Sequence, residues 1–136
     1  MRTLLALFAV ITITGCGDQR VVAPPALASV AGTFTLRSIN GDPLPHSFTN
    51  GTATYTITSD VITVLESGTW SEAGSYLLTQ NGTTQTINFD DGGPWTRSGA
   101  TVSFFSNYLN ANAYWGTFTG NGFDLSDPTS TYSFTK

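Results

Sequence analysis

The chain has 136 residues, of which nine are acidic and five are basic, and its formal net charge is −4. Only 10% of the residues are charged and no cluster of lysines or arginines occurs, which argues against nucleic acid as a partner, because such binding requires a basic patch. Cys16 is the single cysteine, so the chain cannot form an intramolecular disulfide or a multi-cysteine metal site.

The N-terminal segment has the parts of an export signal. An apolar run from Leu4 to Ile13 follows Met1-Arg2, and this run is shorter than the roughly 20 residues that span a bilayer as a helix. A charged start, a short apolar core and small residues before the cleavage point are typical of a signal that is removed. Residues 1–15 are therefore predicted to be a signal peptide.

The end of this segment carries a recognisable motif. Ile13-Thr14-Gly15-Cys16 resembles the lipobox of bacterial lipoproteins. The resemblance implies lipidation of Cys16 and stable attachment to a membrane of the bacterial cell envelope, since two or more acyl chains hold a protein on a bilayer. Asp18 lies one position later than the aspartate that retains enteric lipoproteins at the inner membrane, so the resemblance favours the outer membrane. The alternative is an ordinary secretory signal with an incidental cysteine.

The rest of the chain divides into a tether and one domain. Residues 16–31 contain Pro24-Pro25 and several alanines, and this composition predicts a flexible, partly extended tether. Residues 32–136 have a uniform composition and a length that is common for a single domain.

Alternation of polar and apolar residues, interrupted by Gly or Asn-Gly, predicts an all-β domain. The predicted strands, in chain order, are Thr33–Ile39, Thr52–Thr58, Val61–Glu66, Gly68–Thr79, Thr84–Phe89, Trp95–Arg97, Thr101–Ser106, Ala113–Thr119, Phe123–Ser126 and Thr131–Thr135. The predicted interruptions are turns at Asn40–Pro43, Ser59-Asp60, Asn81-Gly82 and Asp90–Pro94, and a break near Ala73-Gly74.

The order of these strands favours a closed sheet. Sequential strands usually pair, and closure of a long meander removes its unpaired edges. We therefore predict an antiparallel up-and-down meander that closes into a barrel, with a two-sheet β-sandwich as the alternative.

Two segments carry a family resemblance. Gly32–Leu36, followed by Ser38–Gly41, is similar to the opening of small lipocalin-like bacterial lipoproteins, with Phe34 in place of the usual tryptophan. Tyr114–Phe118 is similar to their closing hairpins. The resemblance implies a lipocalin-like barrel with an apolar cavity at one mouth and no fixed ligand.

The titratable residues form no recognisable catalytic or metal-binding motif. His46 is the only histidine, and a lone histidine, which supplies neither a triad nor a metal cluster, is interpreted as an exposed loop residue. Glu66 and Glu72 flank Trp70 and are interpreted as solvated hairpin charges. Asp90–Gly93 lacks the ligand spacing of a calcium loop. We therefore expect no catalysis, no metal and no cofactor.

Aromatic residues are the candidate binding groups, because aromatic side chains line many small-molecule pockets, although they equally fill barrel cores. The predicted ligand-binding residues are Trp70, Trp95, Phe104 and Tyr114. Neighbouring residues of a strand point to opposite faces, which predicts an outer partner surface. Its residues are Phe105, Tyr108 and Trp115.

Three functions are compatible with these features. The first is a lipid-anchored, lipocalin-like module that binds a small apolar or amphipathic ligand. The alternative is a structural lipoprotein whose filled barrel presents the outer aromatic residues to an envelope protein or polysaccharide. The third, an envelope hydrolase, would require His46, or the pair Glu66 and Glu72, to converge in one cleft. The sequence leaves the ligand, the interior of the barrel and the oligomeric state open.

Overall fold

The computed structural model describes residues 28–136. The predicted signal peptide, Cys16 and residues 16–27 of the predicted tether lie outside the described residues. The strands are β1 (Gly32–Ile39), β2 (Asp42–Pro43), β3 (His46–Asn50), β4 (Ala53–Val64), β5 (Thr69–Gln80), β6 (Thr83–Ser98), β7 (Thr101–Ser106), β8 (Ala111–Phe118), β9 (Gly122–Ser126) and β10 (Thr131–Thr135). Within the described residues no helix is long and apolar enough to cross a membrane.

Eight of these strands form a closed antiparallel barrel. The pairing runs from β4 through β5, β6, β7, β8, β9 and β10 to β1, and β1 pairs with β4 to complete the ring. The prediction of an up-and-down meander that closes into a lipocalin-like barrel is therefore confirmed, and the alternative of a two-sheet sandwich is not the fold. The strands β2 and β3 are additions, paired with β1 and β4 respectively.

The ring is completed at one end only. The residues Gly32–Thr35 of β1 pair with Val61–Val64 of β4, and we call this end of the barrel the closed half. Beyond Thr35, β1 continues along β10, whereas the residues Ala53–Ile57 of β4 pair with β3. We call the other end, where β1 and β4 separate, the open half.

A long hairpin borders the open half. All of β5 pairs with residues Thr83–Pro94 of β6, but β7 pairs only with the last four residues of β6, Trp95–Ser98. The turn of this hairpin is the predicted Asn81-Gly82, with φ angles of 52° and 76°, values that Asn and Gly adopt more readily than other residues. The hairpin therefore continues past the body of the barrel on one side of its open half.

Three predicted interruptions are wrong, because pairing with both neighbours keeps the strands continuous. Ser59-Asp60 is an irregularity within β4, where the register with β5 shifts between Ile57 and Ser59. Ala73-Gly74 lies within β5, and Asp90–Pro94 lies within the 16-residue β6. At Gly93 an added Cβ would contact the carbonyl oxygen of Phe105, so glycine serves close strand contact there rather than a turn.

Aromatic and aliphatic side chains fill the closed half. The rings of Phe34 and Phe123 have centroids 4.4 Å apart, and Phe104 packs edge-on against Phe123 at 5.4 Å. The other buried members of this core include Ile62, Val64, Trp70, Val102, Phe118, Leu125 and Phe134. The interior of this half is therefore a packed core.

The packed part of the chain begins before β1. Val30 is buried in the same core, and the Arg97 guanidinium donates a hydrogen bond of 2.5 Å to the carbonyl oxygen of Ala28. The Ser29 hydroxyl donates to the Glu66 carboxylate at 3.1 Å. The chain therefore enters the barrel at the closed half.

Candidate functional site

A cavity of about 590 Å³ lies in the open half, where β1 and β4 separate. This volume is within the range of small-molecule sites in proteins. Apolar and aromatic side chains form most of its wall: Leu36, Ile39, Ile57, Phe89, Tyr114 and Tyr132. Polar residues of β3 and of the β9–β10 connection border it: His46, Asn50, Asp127, Thr129 and Ser130.

A row of aromatic rings crosses the strands beside this cavity. Phe48 stacks on Tyr55 with a centroid distance of 5.2 Å, and Tyr55 is followed by Tyr76 at 5.8 Å and Phe89 at 6.2 Å from Tyr76. Cross-strand partners share a face of a sheet, and Phe48 and Phe89 both line the cavity. The row therefore extends the apolar wall outward along the long hairpin.

Two carboxyl side chains lie inside the barrel beside the cavity. Asp60 is 4% exposed and Glu72 is 5% exposed. Glu72 pairs with Ile62 across β4 and β5, and Asp60 is two residues from Ile62, so the register makes the two acidic residues diagonal neighbours on the inner face. Of the pair, Asp60 lines the cavity.

The interpretation of Glu72 as a solvated charge is wrong. Its partner in the barrel is Asp60, whereas Glu66 is exposed beyond the end of β4. The alternating inward positions of β5 place Glu72 next to Trp70 on the buried face. The sequence could have indicated this buried pair. If β4 is treated as one continuous strand, alternation places both Asp60 and Glu72 at inward positions.

Burial controls the protonation of this acidic pair. Burial raises the pKa of Asp60 above its usual range. Burial and the nearby charge of Asp60 raise the pKa of Glu72 more strongly. The Tyr114 hydroxyl donates a hydrogen bond of 2.7 Å to Glu72 Oε1. Near neutral pH the pair therefore shares one proton and carries one negative charge.

Tyr114 remains a donor throughout this range. Burial, followed by the charge of Glu72 and the hydrogen bond to it, raises the pKa of the Tyr114 phenol above its usual value. The ring lies between Trp70 at 6.1 Å and Tyr132 at 5.5 Å. Tyr114 thus joins the packed core to the cavity and fixes the orientation of the Glu72 carboxyl group.

A second carboxylate lies at the rim of the cavity. Asp127 accepts hydrogen bonds from the Tyr132 hydroxyl at 2.6 Å and from the backbone N–H groups of Thr129 and Ser130 at 2.6 and 2.8 Å. Partial burial acts to raise the pKa of Asp127, but these donors outweigh it and lower the pKa. Asp127 is therefore a fixed negative charge with its acceptor capacity largely occupied.

His46 is not an exposed loop residue, so that interpretation is wrong. It begins β3, pairs with Ile57 of β4, and lines the cavity with its side chain 16% exposed. Its Nδ1 atom lies 3.9 Å from Asp42 Oδ2. Among the described residues no group of three or more His, Cys, Asp and Glu side chains is arranged to hold a metal ion.

The four predicted ligand-binding residues have different locations. Tyr114 lines the cavity, whereas Trp70 and Phe104 are buried in the core of the closed half. The indole N–H groups of Trp70 and Trp95 donate hydrogen bonds of 2.9 Å to the carbonyl oxygens of Phe105 and Leu65. Both tryptophans thus satisfy backbone acceptors, and their part in ligand binding stays a prediction.

The three predicted partner-surface residues lie on the β7–β8 hairpin. Tyr108 at its turn is 86% exposed, Trp115 on β8 is 41% exposed, and Phe105 is half-buried. Leu109, beside Tyr108 in the turn, is also exposed. This hairpin turns at the open half of the barrel, the same end as the cavity.

No protein-family model, no curated protein and no solved structure matches this chain. The cavity, its aromatic wall and its acidic pair therefore carry the functional interpretation by their geometry and chemistry alone. The arrangement can enclose an apolar group and can accept a hydrogen bond within the cavity.

Proposed function

We propose that this protein is a lipid-anchored bacterial envelope lipoprotein whose barrel binds a small apolar or amphipathic ligand in the cavity of the open half. The function is non-catalytic binding. The anchor is Cys16, on the strength of the lipobox resemblance of residues 13–16.

One observation carries the binding proposal: the barrel is densely packed at one end and hollow at the other. A cavity of about 590 Å³ with an aliphatic and aromatic wall lies where β1 and β4 part. Packed protein interiors contain few voids larger than a water molecule, so a hollow of this size in so small a domain favours a ligand site. Apolar walls with a few polar groups are the usual composition of such sites.

Titration of the protein with Nile red, an uncharged apolar dye that fluoresces in apolar surroundings, tests this proposal. We expect a saturable rise in fluorescence. The variant Ile57→Trp places a larger side chain in the cavity wall and should weaken binding about tenfold or more, equivalent to about 1.4 kcal/mol. The matched control is Thr56→Trp, whose side chain points to the opposite face of β4. A dye that binds neither protein nor variants, or binds all three equally, contradicts the proposal.

The lipid anchor is tested separately. Cells expressing the full chain are labelled with a fatty acid that carries an alkyne, and the label on the protein is measured. We expect wild-type protein to be labelled and to sediment with membranes, and Cys16→Ser to lose both properties. A double variant that combines Cys16→Ser with Ser29→Cys restores a thiol outside the motif, and it should stay unlabelled. Labelling of Cys16→Ser would show that the motif does not direct lipidation.

A second candidate function rests on the β7–β8 hairpin. Tyr108, Leu109 and Trp115 are each exposed on this hairpin, and exposed aromatic residues are common at partner surfaces. In this function the hairpin binds an envelope protein or polysaccharide. Photo-crosslinking from position 108 in cells should capture one defined partner, and Trp115→Ala should weaken capture. Polysaccharide pull-down with purified protein distinguishes the two kinds of partner.

A further inference from the structure

A buried carboxyl group lies beside the cavity, and one of its oxygens makes no hydrogen bond to the described part of the protein. Asp60 lines the cavity and is 96% buried as a residue, since its exposed fraction is 4%. Within the described residues, Asp60 Oδ1 is the buried side-chain oxygen or nitrogen that makes no hydrogen bond. Buried polar groups are nearly always paired, and an unpaired one calls for an explanation. A charged carboxylate oxygen is the most costly case, because burial removes it from water.

The opposite side of Asp60 is occupied. Glu72 is the diagonal neighbour of Asp60 on the inner face, and Glu72 is held in turn by the hydrogen bond from Tyr114. This chain of contacts fixes the Asp60 carboxyl group from within the barrel. Oδ1 is itself almost completely inaccessible, so a molecule in the cavity can approach the Asp60 carboxyl group only through the small part of the residue that is exposed, 4%.

Among the described residues, no lysine or arginine is placed to neutralise Asp60, and the histidine of the cavity wall, His46, has its Nδ1 atom 3.9 Å from Asp42. The residues that line the cavity include neither lysine nor arginine. In the described part of the chain, Arg37 binds the Thr135 hydroxyl, while Arg97 and Lys136 lie over the rings of Phe118 and Phe34. All three belong to other parts of the barrel. A buried carboxylate is normally paired with a cation, so here the ligand is the available source of one.

The wall of the cavity suits an organic cation rather than a metal ion. Tyr114, Tyr132 and Phe89 present aromatic rings to the cavity, and aromatic rings attract ammonium groups as well as apolar chains. Metal binding would need several ligands, and the described residues contain no group of three or more His, Cys, Asp and Glu side chains that could supply them.

We propose that the ligand is a protonated amine attached to an apolar body, with the ammonium group beside the Asp60 carboxylate and the apolar body lying against Phe89 and Phe48 of the cavity wall. This inference rests on the proposed ligand-binding function and specifies its ligand class. Fatty acids and other amphipathic anions are disfavoured, because their carboxylate would face both Asp60 and Asp127 without a balancing cation.

Three probes of matched length test the ligand class: 4-phenylbutylamine, 4-phenylbutanol and 4-phenylbutyrate, titrated into the full-chain protein by calorimetry at pH 7.5. We expect the amine to bind about 10 to 100 times more tightly than the alcohol, as a charge-assisted hydrogen bond contributes about 1.5–3 kcal/mol. The anion should bind more weakly than the alcohol. Equal binding of amine and alcohol, or tightest binding of the anion, overturns the inference.

The variant Asp60→Asn keeps the size of the side chain and removes its charge. It should lower amine affinity at least tenfold and leave alcohol affinity within about twofold of wild type. If the variant binds amine as tightly as wild type does, the inference is wrong. Phe48→Ala is the contrasting variant, because it shortens the aromatic row and should weaken amine and alcohol alike.

A pH series with wild-type protein gives the same test without any variant. Burial raises the pKa of Asp60, so Asp60 becomes neutral in mildly acidic solution, where the amine probe is still fully protonated. Amine affinity should fall on acidification from pH 7.5 to pH 4.5, whereas alcohol affinity should stay constant. An amine affinity that does not change overturns the inference.

The two proposals fail in distinguishable ways. If none of the three probes binds and Nile red does not bind, the ligand-binding function itself fails, and the amine inference fails with it. If Nile red and the alcohol bind but the amine has no advantage, the binding function stands and only the ligand class is wrong.

Discussion

The closed half and the open half of the barrel contain the same eight strands but different interiors. In the closed half, where β1 pairs with β4, the inward side chains are Phe34, Phe104, Phe123 and their apolar neighbours. Where the closed half meets the open half, the inward positions include Asp60, Glu72 and Tyr114, and Asp60 and Tyr114 line the cavity. The comparison shows that polar residues enter this barrel where the ring of strands opens, and that the packed half can support their burial.

The largest effect should come from the closed half. Phe34 is fully buried, with its ring 4.4 Å from that of Phe123, so Phe34→Ala should lower the free energy of unfolding by about 3–5 kcal/mol. Urea denaturation followed by tryptophan fluorescence measures this change. A loss below about 1 kcal/mol would show that the closed half is not the stabilising core.

The next effect should be a dependence of stability on pH that originates in the acidic pair. The pKa values of Asp60 and Glu72 are raised in the folded protein, so the folded state holds these protons more tightly than the unfolded state does. The stabilisation is complete below the unfolded pKa values of about 4 and is lost as pH rises through the folded values.

The variant Glu72→Gln removes the contribution of Glu72 to this pH dependence and leaves that of Asp60. A glutamine amide can accept from Tyr114 and donate to Asp60, as protonated Glu72 does, but it does not ionise. Between pH 5 and pH 9 the variant should lose less stability than wild type, by on the order of 2 kcal/mol, since one unit of pKa difference corresponds to about 1.4 kcal/mol. Urea denaturation at several pH values measures it. Parallel curves for the two proteins would contradict the burial of Glu72.

A smaller effect should follow from the hydroxyl that connects the two halves. Tyr114→Phe removes the donor to Glu72 Oε1 and leaves a buried acceptor unsatisfied, at a cost of about 1–3 kcal/mol. The matched control is Tyr132→Phe, which also removes a hydroxyl that donates to a carboxylate. Asp127 keeps its hydrogen bonds from Thr129 and Ser130, so this acceptor is not left unsatisfied. Thermal unfolding should rank Tyr114→Phe as the less stable variant, and the reverse order would contradict the role given to Tyr114.

The smallest effect on stability should come from the rim of the open half. Phe48 on β3 is 48% exposed and stacks on Tyr55, so Phe48→Ala should change the free energy of unfolding by about 1 kcal/mol or less. The same substitution should weaken Nile red binding, because it removes part of the cavity wall. If Phe48→Ala loses stability but keeps its dye affinity, this part of the open half stabilises the fold and does not bind the dye, which contradicts the comparison.

Much of the fold could be predicted from local signals in the sequence. Alternation in β1 and β4, and the Asn81-Gly82 turn, depend on short-range conformational preferences that the structure keeps. The predicted turn at Asp90–Pro94 is wrong because glycine occurs not only in turns but also where two strands approach closely. At Gly92 and Gly93 an added Cβ would contact the carbonyl oxygens of Trp70 and Phe105, a long-range requirement that the local sequence does not display.

The candidate site was harder to predict because it depends on register. Asp60 and Glu72 become neighbours only when Ser59 is treated as an irregularity inside one strand, with Asp60 opposite Gly74. A turn at Ser59-Asp60, which the residue types favour, places Asp60 outside the barrel and conceals the pair. Likewise, the contribution of Phe48 to the cavity depends on β3, His46–Asn50, a strand that the sequence analysis does not predict.

The burial of Val30 shows at which end of the barrel the described chain begins. Because Ala28 and Val30 contact the closed half, the first described residues of the chain lie at the end of the barrel opposite the mouth of the cavity. A membrane attachment through the N-terminal segment would therefore hold the barrel by its base, with the mouth toward the aqueous compartment. Under the proposed binding function, the ligand would then enter the cavity from the surrounding solution rather than from the bilayer.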